Sequence, residues 1–308
     1  MTVYVGVDGG GTYTRALAFD AQGVPVGEGR AGPSNWQAVG VETAVRMVRG
    51  AVAEAAGTVE LAGVGACLAG IDLPEDEARL GAPLAAALGC SVRIANDIVA
   101  ALHAAPGDPA GAVSSGTGAA VALRQRDTVS RLLALNQYTG PMGGAQDVVA
   151  EALRAAILGA QGAAPPTALT EEILRAFGLA TYVDLARATE SQDMPAWQVA
   201  LIVAPLCAQA AASGDAVAAA ILREQGRQLG ETSGRFFTAR GAPKDLPVAL
   251  HGSLLRDGPP VYREGFLAGL IACLPGARAH QEGPAALAGA AIFAARSFGV
   301  STEPLSAS

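Results

Sequence analysis

VYVGVDGGGTYTRALAF, residues 3–19, is the stretch that decides the fold of this 308-residue chain. Small and β-branched apolar residues lead into a glycine turn and out into a second apolar run, which predicts a β-hairpin. Gly10 and Gly11 have no Cβ, so successive backbone N–H groups can converge on an anion, and Thr12 adds a hydroxyl beside them. Asp8 lies where the first strand ends, and a carboxylate there can hold a metal ion or its water against phosphates. The stretch therefore predicts a phosphate-binding turn.

A second glycine turn, in GAVSSGTGAAVAL at residues 111–123, has the same design. Its turn residues are Ser115, Gly116, Thr117 and Gly118. Taken alone, either turn is more typical of an ordinary tight hairpin than of a phosphate site. Two such turns in one chain suggest a nucleoside triphosphate held between two related halves. Neither turn carries the lysine of a P-loop, which excludes the Walker arrangement.

Composition excludes several other classes of protein. The chain has 28 acidic and 21 basic residues and a formal net charge of -7, which argues against nucleic acid as a partner. The longest apolar run, around residues 199–212, contains Pro205 and Gln209, and it predicts a core helix rather than a membrane span. The four cysteines are far apart and lack C-x-x-C spacing, which argues against a disulfide framework or a zinc site. The chain starts as a strand without a secretory signal, so we expect it in the cytoplasm.

Alternating strand and helix patterns predict an α/β fold. Beyond the first hairpin, the predicted strands are 24–29, 61–68, 91–95, 111–115, 118–123, 128–136 and 246–250. The predicted helices are 42–56, 75–88, 98–104, 146–158, 171–177, 196–212, 215–237 and 284–298. A strand-turn-strand-strand unit begins near Val3 and again near Gly111, which indicates an internal duplication. The Pro106–Pro109 segment between the two units is the predicted domain boundary.

Polar residues that follow predicted strands are the remaining candidates for a site. Asn35 follows the third strand, where a structural turn is the simplest interpretation from local sequence. Asp72 precedes Pro74, and a turn residue is as good an interpretation as a ligand contact. Asp97 stands at a strand-to-helix junction, where local sequence favours an N-cap of the helix.

Five motifs together resemble a known family. DGGGT at 8–12, GPSNW at 32–36, AGID at 69–72, ND at 96–97 and SGTG at 115–118 have the order and approximate spacing of the N-acetylglucosamine kinase group. That group lies in the wider BadF/BadG/BcrA/BcrD-type ATPase family, within the sugar kinase, Hsp70 and actin superfamily. The resemblance implies two RNase H-like (actin-like ATPase) domains around an ATP cleft. The domains would be residues 1–108 and 109–283, with a helix at about 284–300 packing back on the first.

The resemblance also implies roles for individual residues. The ATP-binding residues would be Gly10, Gly11, Thr12, Thr14, Ser115, Gly116, Thr117, Gly118, Gly252 and Ser253. Mg²⁺ would lie near Asp8, and Asp97 would be the catalytic base that takes a proton from the sugar. The other sugar-binding residues would be Asn35, Trp36, Gly70 and Asp72. The implied activity is transfer of phosphate from ATP to the 6-hydroxyl of an amino sugar such as N-acetylglucosamine or glucosamine, by a homodimer.

One segment departs from the family pattern. Residues 134–144 lack the tryptophan and the acidic pair with which the family contacts its sugar from the second domain. Asp147 could replace the acidic pair, although a role at the start of a helix is the simpler interpretation. The departure leaves two alternatives to the kinase. One is an ATPase that drives a partner enzyme, like the family's activators of 2-hydroxyacyl-CoA dehydratases, and the other is a non-catalytic sensor that binds sugar or nucleotide.

Overall fold

The computed structural model describes residues 2–126, 128–135, 139–190, 196–280 and 286–306. Its first half contains β1 (Thr2–Gly9), β2 (Thr14–Phe19), β3 (Pro25–Ala31), α1 (Trp36–Val39), α2 (Val41–Ala56), β4 (Glu60–Leu68), α3 (Pro74–Leu88), β5 (Ser91–Asn96) and α4 (Ile98–Ala104). The chain continues with β6 (Ala110–Ser115), β7 (Ala119–Gln125), β8 (Thr128–Arg131), α5 (Ala145–Ala160), α6 (Leu169–Phe177), α7 (Tyr182–Glu190), α8 (Ala196–Ala212) and α9 (Ala216–Ala239). It ends with β9 (Pro247–His251), α10 (Ser253–Arg256), α11 (Pro260–Cys273), β10 (Arg278–His280), α12 (Ala286–Phe298) and α13 (Glu303–Ser306).

Two five-stranded sheets share one strand order, which confirms the predicted duplication. The first sheet runs β3-β2-β1-β4-β5 and the second runs β8-β7-β6-β9-β10. In each, three antiparallel strands form a meander, and two later strands extend the sheet in parallel from the first strand of that meander. The two halves therefore present equivalent strand ends, those of β1 and β6, each followed by a glycine turn.

Helices cover both faces of each sheet. Val3, Val5 and Val7 alternate along β1 and are fully buried in the core that α2 and α3 complete. In the second half, α5, α8 and α9 cover one face of the sheet around β6 and β7. The layer between the sheets contains α4 and α12, which pack on each other. Ile98 and Leu102 of α4 also reach the second sheet, so the helix that follows Asp97 contacts both halves.

α12 lies directly on the face of the first sheet, against β1 and β4. A Cβ at Gly65 would come within 2.6 Å of Ala294 Cα, so only glycine lets the helix approach this closely. The predicted start of this helix, residues 284 and 285, lies outside the described residues. Among the described residues, no single helix is long and apolar enough to cross a membrane. Within the same described part of the chain, one pair of helices bent by 115°, 199–212 and 216–239, reaches that length and composition together.

Several elements differ from the sequence-based expectation, among them one strand and one helix. The strand expected over 128–136 ends at Arg131, and residues 136–138 lie outside the described part of the chain. Helix α11 was not predicted, because glycine disfavours helices in isolation. Gly265 and Gly269 are nevertheless required there, since a Cβ at either would overlap the α9 backbone at Arg223 or Arg227. Tertiary packing of two helices at close range outweighs local propensity in this segment.

Candidate active site

The first glycine turn lies at the base of a cleft between the two sheets. The carbonyl of Gly10 accepts hydrogen bonds from the N–H groups of Ser34 and Asn35, at 3.0 and 3.2 Å. These bonds tie the turn to the loop after β3. The N–H groups of Gly11 and Thr12 make no hydrogen bond to any described residue. The turn therefore leaves these two backbone donors without a partner among the described residues, and their binding of phosphate stays a prediction.

Both halves line this cleft, which has a volume of about 420 Å³. The first half contributes Asp8, Gly10, Gly11, Thr12, Arg15 and Asp97. The second half contributes Ser114, His251, Gly252 and Ser253. Gly252 has φ +81°, and a Cβ on it would overlap the backbone of Ser115, so the loop after β9 lies close against the end of β6. Burial lowers the pKa of His251 to about 4, so this imidazole is neutral at physiological pH.

Asp8 is paired with an arginine inside the cleft. Arg15 Nη2 donates to Asp8 Oδ2 at 2.7 Å, and the guanidinium also lies over the ring of Tyr13, 5.2 Å from its centroid. The Asp8 side chain is 16% exposed. Asp8 and Asp97 face one cleft beside the open turn, a donor set that suits Mg²⁺, which binds one or two carboxylates and keeps most ligands as water or phosphate. No cluster of three or more metal-binding side chains occurs among the described residues.

Asp97 directly precedes α4, at its N-cap position, but its side chain does not cap the helix. The Ile98 N–H donates to Asn96 Oδ1 at 3.2 Å, and the Asp97 carboxylate makes no cap hydrogen bond. Asp97 is thus at the N-cap position as local sequence indicates, but its side chain does not cap the helix: Asn96 accepts from the first helical N–H, and Asp97 lines the cleft. Burial, together with the nearby carboxylate of Asp8, raises the pKa of Asp97 to about 6. A carboxylate with this pKa is ionised at neutral pH and more basic than an ordinary aspartate.

The predicted sugar-binding residues form a cluster beside the cleft. Trp36 Nε1 donates to the Gly70 carbonyl at 2.6 Å, and Asn35 Oδ1 accepts from the Gln37 N–H at 3.1 Å to cap α1. Asp72 Oδ1 accepts from Asn96 Nδ2, and Asp72 Oδ2 accepts from Gln37 Nε2, both at 3.1 Å. Burial raises the pKa of Asp72 despite the hydrogen bond from Gln37. The loops after β3, β4 and β5 thus meet at one edge of the first sheet, next to Asp97.

Two of the predicted ATP contacts are buried. Thr14 is fully buried, and its hydroxyl bonds the Gly32 carbonyl at 2.7 Å and Ser34 Oγ at 2.8 Å. Ser115 is also fully buried, and its hydroxyl donates to the Gly143 carbonyl at 2.7 Å. Both hydroxyls make internal hydrogen bonds, and neither residue is among those that line the cleft. The contact of Thr14 and Ser115 with ATP stays a prediction.

The second glycine turn lies at the rim of the cleft. Gly116, Thr117 and Gly118 are not among the residues that line the 420 Å³ volume, to which Ser114 contributes instead. The carbonyls of Gly116 and Thr117 accept hydrogen bonds from the first N–H groups of α5, at 2.8 and 3.1 Å. Asp147 Oδ2 accepts from the N–H groups of Gly143 and Gly144, both at 2.9 Å, so its role at the start of that helix is confirmed.

Sequence reasoning missed four side chains near the site: Arg15, Gln37, Asn96 as a cap, and Arg131. Arg15 directly follows the first turn, so its place in the cleft could have been inferred from the hairpin register. Gln37 and Asn96 stand beside predicted site residues. Arg131 has no local signal, because its contacts are made to residues 59 and 60 positions away.

Two duplicated sheets that enclose a cleft lined from both sides define a protein of the actin-like ATPase fold. The chain belongs to the BadF/BadG/BcrA/BcrD ATPase family, whose model matches residues 5–263. The resemblance stated from the motifs is therefore confirmed.

Three related proteins agree with this assignment. An N-acetyl-D-glucosamine kinase of Dictyostelium discoideum is 24% identical over 286 residues, 87% of this chain and 88% of that protein. The glucosamine kinase GspK of Vibrio cholerae is 48% identical over 56 residues, 18% of this chain and 19% of that protein. The solved structure of a provisionally named N-acetylglucosamine kinase from Chromobacterium violaceum has a TM-score of 0.71 at 23% identity, covering 94% of this chain and 98% of that one. The structural match confirms the fold.

Proposed function

We propose that this protein is an ATP-dependent kinase that phosphorylates an amino sugar, N-acetylglucosamine or glucosamine, at its 6-hydroxyl group. The observation that carries the proposal is the Asp97 carboxylate, which faces the cleft beside the open phosphate turn and has a raised pKa. The family assignment and two relatives named as amino-sugar kinases support the choice of acceptor.

In the proposed reaction, nucleotide and acceptor sugar bind at adjacent parts of the cleft. ATP binds with its phosphates on the Gly10–Thr12 turn and its adenosine towards Gly252 and Ser253. Asp97 takes the proton of the acceptor hydroxyl, the hydroxyl oxygen attacks the γ-phosphorus, and ADP leaves. Asp8 is the residue proposed to hold Mg²⁺, which neutralises phosphate charge when it is bound. Closure of the cleft around both substrates excludes water, so transfer to the sugar competes well with hydrolysis.

On the acceptor side, Asn35, Trp36, Gly70 and Asp72 are proposed to bind the sugar. The Oδ1 atom of Asn35 is occupied by the Gln37 N–H, so its NH₂ group is the part proposed to donate to a hydroxyl. Asp72 is proposed to accept from a second hydroxyl. A side chain held in place by its own hydrogen bonds loses little entropy when the sugar arrives.

Further parts of the proposal concern the whole chain. We propose a division into residues 1–108 and 109–283 and a homodimer in the cytoplasm. The four cysteines are free thiols, which is typical of proteins in reducing compartments. Light scattering of the purified protein tests the dimer.

The test of the function is release of ADP from ATP and Mg²⁺ in the presence of single sugars. Stimulation by N-acetylglucosamine or glucosamine, with a sugar 6-phosphate as product, supports the kinase. Hydrolysis of ATP that no sugar changes supports the partner-driving ATPase instead, and nucleotide binding without turnover supports the sensor. Asp97→Asn should keep nucleotide binding and abolish transfer. Asp245→Asn, on an exposed loop, should leave both nucleotide binding and transfer unchanged. Retained turnover in Asp97→Asn would remove Asp97 as the base.

A further inference from the structure

Arg131 connects the two halves of the molecule on the acceptor side of the cleft. It is the last residue of β8, the edge strand of the second sheet. Its Nη1 donates to the Ile71 carbonyl at 3.0 Å and its Nη2 donates to the Asp72 carbonyl at 3.1 Å. Both carbonyls belong to the loop that follows β4 in the first sheet. One guanidinium therefore bridges two successive peptide groups of the opposite half.

The loop that Arg131 holds supports the proposed base. Asp72 accepts from Asn96 Nδ2 at 3.1 Å, and Asn96 in turn caps α4 by accepting from the Ile98 N–H at 3.2 Å. Asp97 lies between Asn96 and Ile98 in the chain. A continuous set of hydrogen bonds thus runs from the second sheet through the 71–72 loop to the first turn of α4.

The electrostatics of the cluster agree with this arrangement. The charge of Arg131 acts to lower the pKa values of both Asp72 and Asp97, against the burial that raises them. Besides Asp72 itself, the other charged groups that act on these two carboxylates are the carboxylates of Asp8 and Asp76. Arg131 is therefore the cation that opposes the carboxylates on this side of the cleft.

We propose that Arg131 is a positioning residue for phosphoryl transfer, which fixes the 71–72 loop for the acceptor and joins the two halves there before nucleotide binds. This inference rests on the proposed kinase function. The bridge requires an arginine, because a guanidinium presents two parallel donors in a fixed plane, whereas a lysine ammonium can face only one carbonyl well. Arg131 acts through the loop and need not touch the sugar.

The experiment compares Arg131→Gln and Arg131→Lys with Arg93→Gln. Arg93 is an exposed residue of β5, so its variant controls for the loss of one positive charge. In Arg131→Gln the KM for the amino sugar should rise roughly 10- to 100-fold, the effect of losing charge-assisted hydrogen bonds. Nucleotide affinity, measured by titration with an ATP analogue, should stay within about threefold, because the phosphate turn is untouched. Arg131→Lys should recover only part of the loss, and Arg93→Gln should match the wild type.

Amide hydrogen exchange of the nucleotide-free protein supplies a readout that does not depend on activity. Residues 69–73 should exchange faster in Arg131→Gln than in the wild type or Arg93→Gln. If the wild type is active and Arg131→Gln has the same KM for the sugar, the proposal is overturned. It is also overturned if Arg131→Gln loses sugar affinity and nucleotide affinity equally, because that result indicates general damage to the fold. If the Gln variant does not fold, Arg131→Lys takes its place in both measurements, and an unchanged KM there overturns the proposal equally. If the wild-type protein transfers phosphate to no amino sugar, the proposed kinase function is wrong, which is a separate result. The hydrogen-exchange measurement still tests the Arg131 bridge in that case, because unchanged exchange at residues 69–73 in Arg131→Gln would refute it.

Discussion

Asp97→Asn should stabilise the folded protein at alkaline pH while it abolishes phosphoryl transfer. The folded structure raises the pKa of Asp97 from 3.8 to about 6, through burial and the neighbouring carboxylate of Asp8. A raised pKa means that the folded protein disfavours the ionised form of Asp97 relative to the unfolded chain. The resulting loss of folding free energy is small below pH 3.8, grows between the two pKa values and is nearly complete above about pH 6. An amide cannot ionise, so the variant escapes this cost.

The size of the effect follows from the two pKa values. Linkage gives a free-energy cost of about 2 kcal/mol at pH 5 and about 3 kcal/mol at pH 8. The stability difference between Asp97→Asn and the wild type should therefore increase by about 1 kcal/mol from pH 5 to pH 8. Under the proposed function, keeping Asp97 poised for proton transfer thus lowers the stability of the protein.

Urea unfolding followed by circular dichroism at pH 5 and pH 8 measures the difference. Asp245→Asn is the matched control, because the Asp245 side chain is 72% exposed and exposed charges are screened by solvent. A variant-minus-wild-type difference that stays the same at both pH values would refute the reasoning. A difference that decreases towards pH 8 would show that the carboxylate is stabilised by the fold, and Asp97 would then not be a base with a raised pKa.

Thr14→Val should lower the free energy of unfolding by roughly 1–3 kcal/mol through loss of a buried hydrogen bond, with nucleotide affinity within about twofold of the wild type. Urea unfolding and nucleotide titration check this. A large loss of nucleotide affinity at unchanged stability would contradict it and would show that Thr14 contributes to nucleotide binding. Gly252→Ala should destabilise the protein by about 2–4 kcal/mol, because φ is +81° and the new Cβ overlaps Ser115. Thermal unfolding measures it against Gly116→Ala, where a Cβ meets nothing within 4 Å, and equal melting temperatures would contradict it. The kcat/KM for transfer should fall about tenfold per pH unit below about pH 6, since Asp97 must be ionised to accept a proton. A flat profile down to about pH 5 would exclude it as the base.

Under the proposed function, the first half supplies most of the acceptor side, and the acidic pair of the family pattern is absent from the second half. The first half supplies the clustered polar groups, from Asn35 to Asp72, within one hydrogen-bonded unit. The second half contributes a cation, Arg131, at the place where that unit needs support. Arg131 lies in the chain just before the altered segment at residues 134–144, and under the proposal it joins the two halves there.

Local sequence was sufficient for elements whose signals lie within a few residues. The glycine turns and the alternating valines of β1 predict their hairpins without help from the rest of the chain. Helices α7 and α11 escaped prediction, because the residues that stabilise them lie on other helices. Gly265 shows the limit most clearly: in isolation it weakens a helix, and in the fold it allows α11 to pack on α9.

Within the site, the sequence could not tell a hydroxyl that binds ligand from one that serves the interior. Thr14 and Ser115 follow the pattern of phosphate contacts, yet both are buried with partners from distant loops. The neighbouring pair Asn96 and Asp97 posed the same problem, since either side chain can cap a helix. Only the three-dimensional arrangement assigns the cap to Asn96 and leaves Asp97 for the cleft.

By itself the sequence determined the duplicated α/β architecture, the glycine turn at Gly10–Thr12 and the position of Asp97 at a strand end. These follow from backbone preferences and short-range periodicity, which act between near neighbours in the chain. The tertiary structure alone decided the pKa of Asp97, the ion pair between Asp8 and Arg15, and the bridge from Arg131. Burial, charge proximity and cross-sheet hydrogen bonds depend on distances in space between residues far apart in sequence, and no local pattern encodes those distances.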